Sequence, residues 1–186
     1  PSKYVDYTHV GLSKLRPHAG VNRGVFKENL LGFTKIVSNN WDYKPGCLFT
    51  DLLEFKALKN HYEGKERWKK SKFAQRSANF IKMNNSIRGF NNPKEFLLKR
   101  ERQIDKLFDS ILKKGIYPNN IPREKNIFVD NISLALTKKS ELYFNNRGHH
   151  RLSIAKIIGL KTIPIKITAA KSYKVLENFY FICNQK

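Results

Sequence analysis

A chain of 186 residues with 40% apolar content is of a length that folds as one domain and has enough apolar mass to fill a core, which excludes a disordered chain. The balance of 36 Lys+Arg against 15 Asp+Glu leaves +21 formal charges, so the surface field favours polyanions or phosphorylated small molecules. No apolar run is long enough to cross a bilayer and the opening Pro1-Ser2-Lys3-Tyr4 has no signal-peptide pattern, so the expectation is a cytoplasmic protein with no membrane partner.

Cys47 and Cys183 lie far apart among apolar or aromatic neighbours and read as reduced, buried thiols. A surplus of Lys and Asn can follow from the base composition of the coding DNA. Such drift would raise Glu as well, and acids are scarce here, which leaves nucleotide or nucleic acid as the inferred partner.

In chain order, Tyr4 to Leu12 is rich in β-formers and predicts a strand or extended arm. Residues 13 to 50 read as loops with a strand near Phe33 to Val37. Helical spacing of Leu52, Leu53, Phe55 and Leu58 predicts a helix from Asp51 to about Leu58, and a second follows from Glu66 to Lys82 after a break at Gly64. Asn92-Pro93-Lys94-Glu95 combines an N-cap, a first-turn proline and a capping-box glutamate, and Phe96, Leu97, Ile104, Leu107, Phe108, Ile111 and Leu112 recur on one face. A long helix over about 93–114 is therefore expected, stopped by Gly115. Asn126 to Leu136 and Glu141 to Phe144 predict a strand pair turned at Lys138-Lys139-Ser140. A short helix over about 150–158 ends at Gly159, a β-branched strand covers Thr162 to Ile167, and a tail helix covers Ser172 to Cys183.

Between the strand pair and the short helix stands Gly148-His149-His150-Arg151, a glycine turn at a helix N-terminus, where unpaired N–H groups attract anions. The order of a helix end at Ser110-Ile111 with Gly115, a strand pair, this turn, a helix, and Gly159-Leu160-Lys161-Thr162-Ile163-Pro164-Ile165 resembles the ParB N-terminal/sulfiredoxin superfamily over roughly residues 96 to 168. The resemblance implies an α+β fold with a small mixed sheet flanked by helices: residues 1–90 form an N-terminal helical extension packed on the core, and 91–186 form the core with its C-terminal helix, as one compact unit. It also implies a nucleoside di- or triphosphate (ATP, ADP or CTP, with Mg²⁺ as the accompanying ion) bound through Gly148, His149, His150, Arg151 and Ser153, with Ser110 and Lys113 at the pocket border. Sulfiredoxin-like members carry Cys after the turn glycine, where this chain has His149. Partition proteins carry Gly-Glu-Arg-Arg and a downstream DNA reader, and kinase-like forms often carry Asp where this chain has Arg147.

Phosphotransfer or nucleotide hydrolysis needs cations on the transferring group and an acid or base at the nucleophile. His150 and Arg151 serve the first need; Asp42, Asp51, Glu54 and Glu63 are the acids available for the second, with Glu63 and Asp42 taken as the catalytic choices. No residues show metal-ligand spacing, and no Gly-Lys-Ser/Thr phosphate loop is present. A rival reading is a DNA-binding protein or ParB-like nuclease working through Lys65, Arg67, Lys69, Lys70, Lys72, Arg100 and Arg102. A third is a member of the fold that only binds a protein partner. Trp41, Tyr62 and Trp68 could stack on bases, though core packing explains such aromatics more often.

Overall fold

The computed structural model describes residues 4–6, 34–36, 48–83, 85–116, 132–145 and 147–184. Its elements run β1 (Tyr4–Asp6), β2 (Lys35–Ile36), α1 (Leu53–Tyr62), α2 (Lys72–Lys82), α3 (Pro93–Lys114), β3 (Ile132–Leu136), β4 (Leu142–Phe144), α4 (His149–Ile158), β5 (Thr162–Ala170) and α5 (Tyr173–Asn184). Single 3-10 turns occupy Phe49–Asp51 and Trp68–Lys70. The fold is α+β, and no helix among the described residues is long and apolar enough to cross a membrane.

The long helix obeys its local signals. Asn92 Oδ1 accepts from the N–H groups of Lys94 (2.9 Å) and Glu95 (3.1 Å), and Pro93 stands at the first helical position. The Glu95 carboxylate pairs with Lys99 one turn on, so the cap is the asparagine alone and no capping box is recorded. Gly115 ends the helix at φ 70°, ψ −170°, a conformation that disfavours any side chain. Phe96, Ile104 and Ile111 are buried, whereas Leu112 is 59% exposed and falls off the predicted face.

The helix predicted over 66–82 starts later than its pattern suggests. Ser71 interrupts it: its hydroxyl donates to Trp68 O (2.7 Å) and accepts from Ala74 N–H (3.2 Å), capping α2 and leaving Trp68–Lys70 as a separate turn.

The chain divides into two compact units. One comprises residues 50–115 and 150–159 and is helical. Ala57 and Leu58 of α1, Trp68, Ala74 and Ile81 of α2, and Phe96 and Ile104 of α3 form its buried core. Tyr62 staples α1 to α3: its ring stacks on Phe108 at 3.7 Å and its hydroxyl donates to Ile104 O at 3.1 Å.

The other unit comprises residues 1–49, 116–149 and 160–186 and contains the sheet. Its order is β1-β5-β3-β4, with β2 also on β5. The β3–β5 pair is parallel, and both strands are apolar and largely buried, as a parallel pair requires. β3 and β4 pair antiparallel through a turn in which Ser140 N–H donates to Thr137 O (3.0 Å) and Glu141 N–H to Thr137 Oγ1 (3.0 Å). The expected turn at Lys138-Lys139-Ser140 is present, and Ser140 takes up the positive φ (60°) it needs. Residues 126–131 of the predicted strand, residues 7–12 of the first, and Phe33 and Val37 lie outside the described residues. α5 packs against β5 in this same unit.

Candidate functional site

The approach to the glycine turn is built in the sheet unit. Register shifts between Leu134 and Ala135 opposite β5, so Thr168 is an extra residue there, a β-bulge that redirects its side chain. Thr168 Oγ1 donates to Leu134 O (3.3 Å) and accepts from Asn145 Nδ2 (2.6 Å). Asn145, 5% exposed, also donates its backbone N–H to Ser133 O (2.8 Å), and Ser133 N–H donates to Arg147 O (3.1 Å). The end of β4 is thereby pinned to β3 on both sides of the turn. Gly148 then adopts φ 78°, which a side chain would disfavour, and α4 begins.

His149, assigned on sequence to the phosphate cradle, is held by aromatics. Its ring lies 4.9 Å from Phe49 and 5.4 Å from Phe144, and those two rings meet edge to face at 5.1 Å. The side chain anchors the turn to the sheet.

In the helical unit, His150 belongs to a cluster of charges. Its Nε2 lies 3.3 Å from Glu54 Oε1, and the two side chains are only 12% and 20% exposed. Arg100 Nη2 lies 3.4 Å from each ring nitrogen of His150. Glu54 stands in the first turn of α1, Arg100 on α3 and His150 in the first turn of α4. Burial pushes the Glu54 carboxyl up from its usual range to about 7, although Arg88 and Arg100 pull it down.

Arg88 owes its place to a tight turn. Ile87 and Phe90 exchange backbone hydrogen bonds (3.2 and 2.9 Å), and Arg88 and Gly89 both have positive φ, 51° and 82°. That is the two-residue hairpin geometry usually given to Asn-Gly or Gly-Gly. An arginine there is strained, and the strain accompanies a charge that acts on Glu54.

The other acids fall elsewhere. Glu63, the preferred base on sequence, caps the far end of α1, about 13 Å from Glu54 along the helix axis at 1.5 Å per residue. It is exposed and paired with Lys65 (2.7 Å) and Lys59 (3.6 Å), which hold its carboxyl below the usual range. Asp42 and Trp41 lie outside the described residues. Asp51 pairs with Lys56 at 3.7 Å. The place at His150 belongs to Glu54, an acid the sequence offered without preference.

Ser110 and Lys113, expected at a pocket border, are exposed on α3 about 15 and 20 Å beyond Arg100 along the axis. α3 therefore carries both away from the His150 cluster. Ser153 is fully buried inside α4 and presents no surface to a ligand, while Arg151 is half-buried in that helix's first turn.

Among the residues assigned to nucleic acid, several are engaged. Arg67 Nη2 donates to Glu101 at 2.8 Å and Lys69 lies 3.6 Å from the same carboxylate, which also accepts from Lys69 N–H. Glu101 is 3% exposed; burial alone would raise its carboxyl, but these donors hold it below the usual range. Lys65 pairs with Glu63 and Arg100 with His150. Lys70, Lys72 and Arg102 are exposed. Trp68 is core and Tyr62 is stacked on Phe108, so neither ring is a platform for a base.

Chemically, Glu54 and His150 can share one proton near neutral pH: the ionised carboxylate accepts from Nε2–H, and the protonated acid donates to a bare Nε2. An arginine at His150 and a second arginine charge acting on the engaged Glu54 carboxyl suit an anion better than a divalent cation, so no residue here is assigned to Mg²⁺. Among the described residues no three His, Cys, Asp or Glu side chains converge as a metal-ligand group. No family model, curated protein or solved structure matches this chain.

Proposed function

We propose that this chain binds a nucleotide through the N-terminus of α4 and transfers its terminal phosphoryl group to a hydroxyl acceptor or to water, with Glu54 as the acid–base residue. The carrying observation is the gathering of Glu54, His150 and Arg100 at the first turn of α4, with the Arg88 charge acting on Glu54. The resemblance to the ParB N-terminal/sulfiredoxin superfamily supports the same reading through Gly148, His150 and Arg151.

The division of labour follows from the residue types. First-turn N–H groups of α4 and the Arg151 fork neutralise phosphate oxygens. Arg100 and Arg88 counter the charge that spreads over the transferring group. The nucleophile's oxygen bonds to phosphorus as the bond to the leaving phosphate breaks, and its proton passes to Glu54. A carboxyl near pH 7 is well matched to that task, being half ionised where the cell operates. His150 fixes the orientation of Glu54 and stores or returns the shared proton.

A thermal-shift panel of ATP, ADP and CTP with Mg²⁺, read beside release of phosphate or ADP, tests the assignment. A ligand at one hundred times its Kd adds about 2.7 kcal/mol, which for a chain of this size raises Tm by about 5–10 °C. Arg151→Ala is expected to lose the shift, and Glu54→Gln to keep the shift and lose turnover. No shift with any nucleotide, or full turnover in Glu54→Gln, rejects the proposal.

A further inference from the structure

Between Glu66 and Glu95 the chain contains no acid. Arg67 and Lys69 in that stretch are bound to Glu101, and Arg88 acts on Glu54. What remains is concentrated on α2. Ala74, Ala78 and Ile81 turn inward, which fixes the opposite face. Lys72, Arg76, Asn79 and Met83 follow one another along that face at helical spacing, about 6 Å between the first two. All four are exposed, as is Lys70 just before the helix. Lys70, Lys72 and Arg76 make no ion pair among the described residues.

Two large apolar side chains stand in water on this face. Phe80 is 49% exposed and Met83 75% exposed. Phe80 lies one turn after Arg76, so a cation and an open aromatic ring are neighbours on the helix surface. Cations that follow a backbone beside an aromatic that accepts any base are what single-strand binding requires. An acidic polypeptide would use the cations but leave the ring in water.

We propose that the outward face of α2, through Lys70, Lys72, Arg76 and Phe80, binds single-stranded nucleic acid. The phosphates run along the cations and a base stacks on Phe80. This surface is independent of the phosphoryl-transfer reading, since none of its residues belongs to the Glu54 cluster.

The test is fluorescence anisotropy of the full chain with labelled oligothymidylate, a duplex of equal length, and unlabelled polyglutamate as competitor, between about 50 and 200 mM salt. Lys72→Glu with Arg76→Glu is expected to weaken single-strand binding at least about tenfold at low salt and to flatten the log–log salt dependence by about 1.4, two phosphates at 0.7 each. Phe80→Ala should weaken the single strand about five- to a hundredfold and leave the duplex unchanged. All substituted residues are exposed, so each variant should keep the parent Tm, and the nucleotide thermal shift serves as a separate readout of the other site. Failure to bind oligothymidylate, equal loss of single strand and duplex in Phe80→Ala, or competition by polyglutamate as strong as by the oligonucleotide overturns the proposal.

Discussion

Two histidine–carboxylate pairs lie in the helical unit, and they have different consequences. His61 Nε2 meets Asp105 Oδ1 at 2.7 Å, while its Nδ1 accepts the backbone N–H of Trp68 at 3.1 Å. Both ring nitrogens are therefore committed, the tautomer is fixed with the proton on Nε2, and Asp105 is 46% exposed to water. His150 faces a Glu54 that is mostly buried, and an Arg100 nitrogen lies 3.4 Å from both of its ring nitrogens. The first pair is a bracket joining α1, the Trp68 turn and α3. The second holds a proton that burial has made easy to move near neutrality. The pairing alone does not tell a structural histidine from a chemical one; solvation of the acid and engagement of the second nitrogen do.

Matched substitutions on the two acids separate these roles most widely. Glu54→Gln keeps shape and removes the titrating proton, so phosphoryl transfer should fall about 10²- to 10⁴-fold, the usual contribution of a positioned acid or base. Asp105→Asn keeps an oxygen for His61 Nε2–H to reach, and turnover should stay within about twofold with a small loss of stability. Steady-state rates of the two variants beside the parent decide it; equal loss in both would make the Glu54 pair structural too.

The sequence foretold neither pair. The limits of α3 at Pro93 and Lys114 were readable because Asn92, Pro93 and Gly115 act on their own neighbours. The Thr137–Ser140 turn and the start of α4 after Gly148 were readable for the same reason. Glu54 could not be ranked above Glu63, because its distinction is being buried against His150, nearly a hundred residues away. Arg88 left a faint signal, an X-Gly step flanked by Ile87 and Phe90. The division of the basic residues was also hidden, since Arg67 and Lys70 look alike until Glu101 is seen to occupy the first. Asp105 pairs with His61 on α1, a contact between distant positions that no local spacing marks.

Acid–base linkage sharpens the comparison at a somewhat smaller scale. Glu54 has a folded-state value of about 7 against 4.5 for the unfolded chain. Below 4.5 both states hold the proton; between 4.5 and 7 only the folded state does, so raising the pH weakens the fold; above 7 both are ionised and the loss is complete. Over that window stability should fall by about 3 kcal/mol, at 1.36 kcal/mol per pH unit. Glu54→Gln should remove this fall and melt higher than the parent at pH 8. Glu101 has the opposite sign, because its lowered value contributes stability above 4.5 that is lost only as the pH drops further, outside this window. Denaturant melts of parent and variant at pH 5 and pH 8 measure the difference, and parallel pH curves would show that Glu54 ionises freely in the folded chain.

The smallest effect comes from deleting the two rings. His61→Ala leaves the Trp68 N–H without its acceptor beside a residue that is 1% exposed, and it cuts the link to Asp105 on α3. An unmet donor at such a place costs about 1–3 kcal/mol, or a drop in Tm of about 2–12 °C at 2–4 °C per kcal/mol. His150→Ala should cost less, about 1 kcal/mol below pH 7, because Glu54 can keep its proton and needs no imidazole to neutralise it. Above pH 7 the order should narrow, because an ionised Glu54 has then lost a donor and relies on Arg88 and Arg100. Thermal melts of both variants on either side of neutrality test this, and a His150→Ala loss that is as large at pH 6 as at pH 8 would mean that the second pair is a bracket as well.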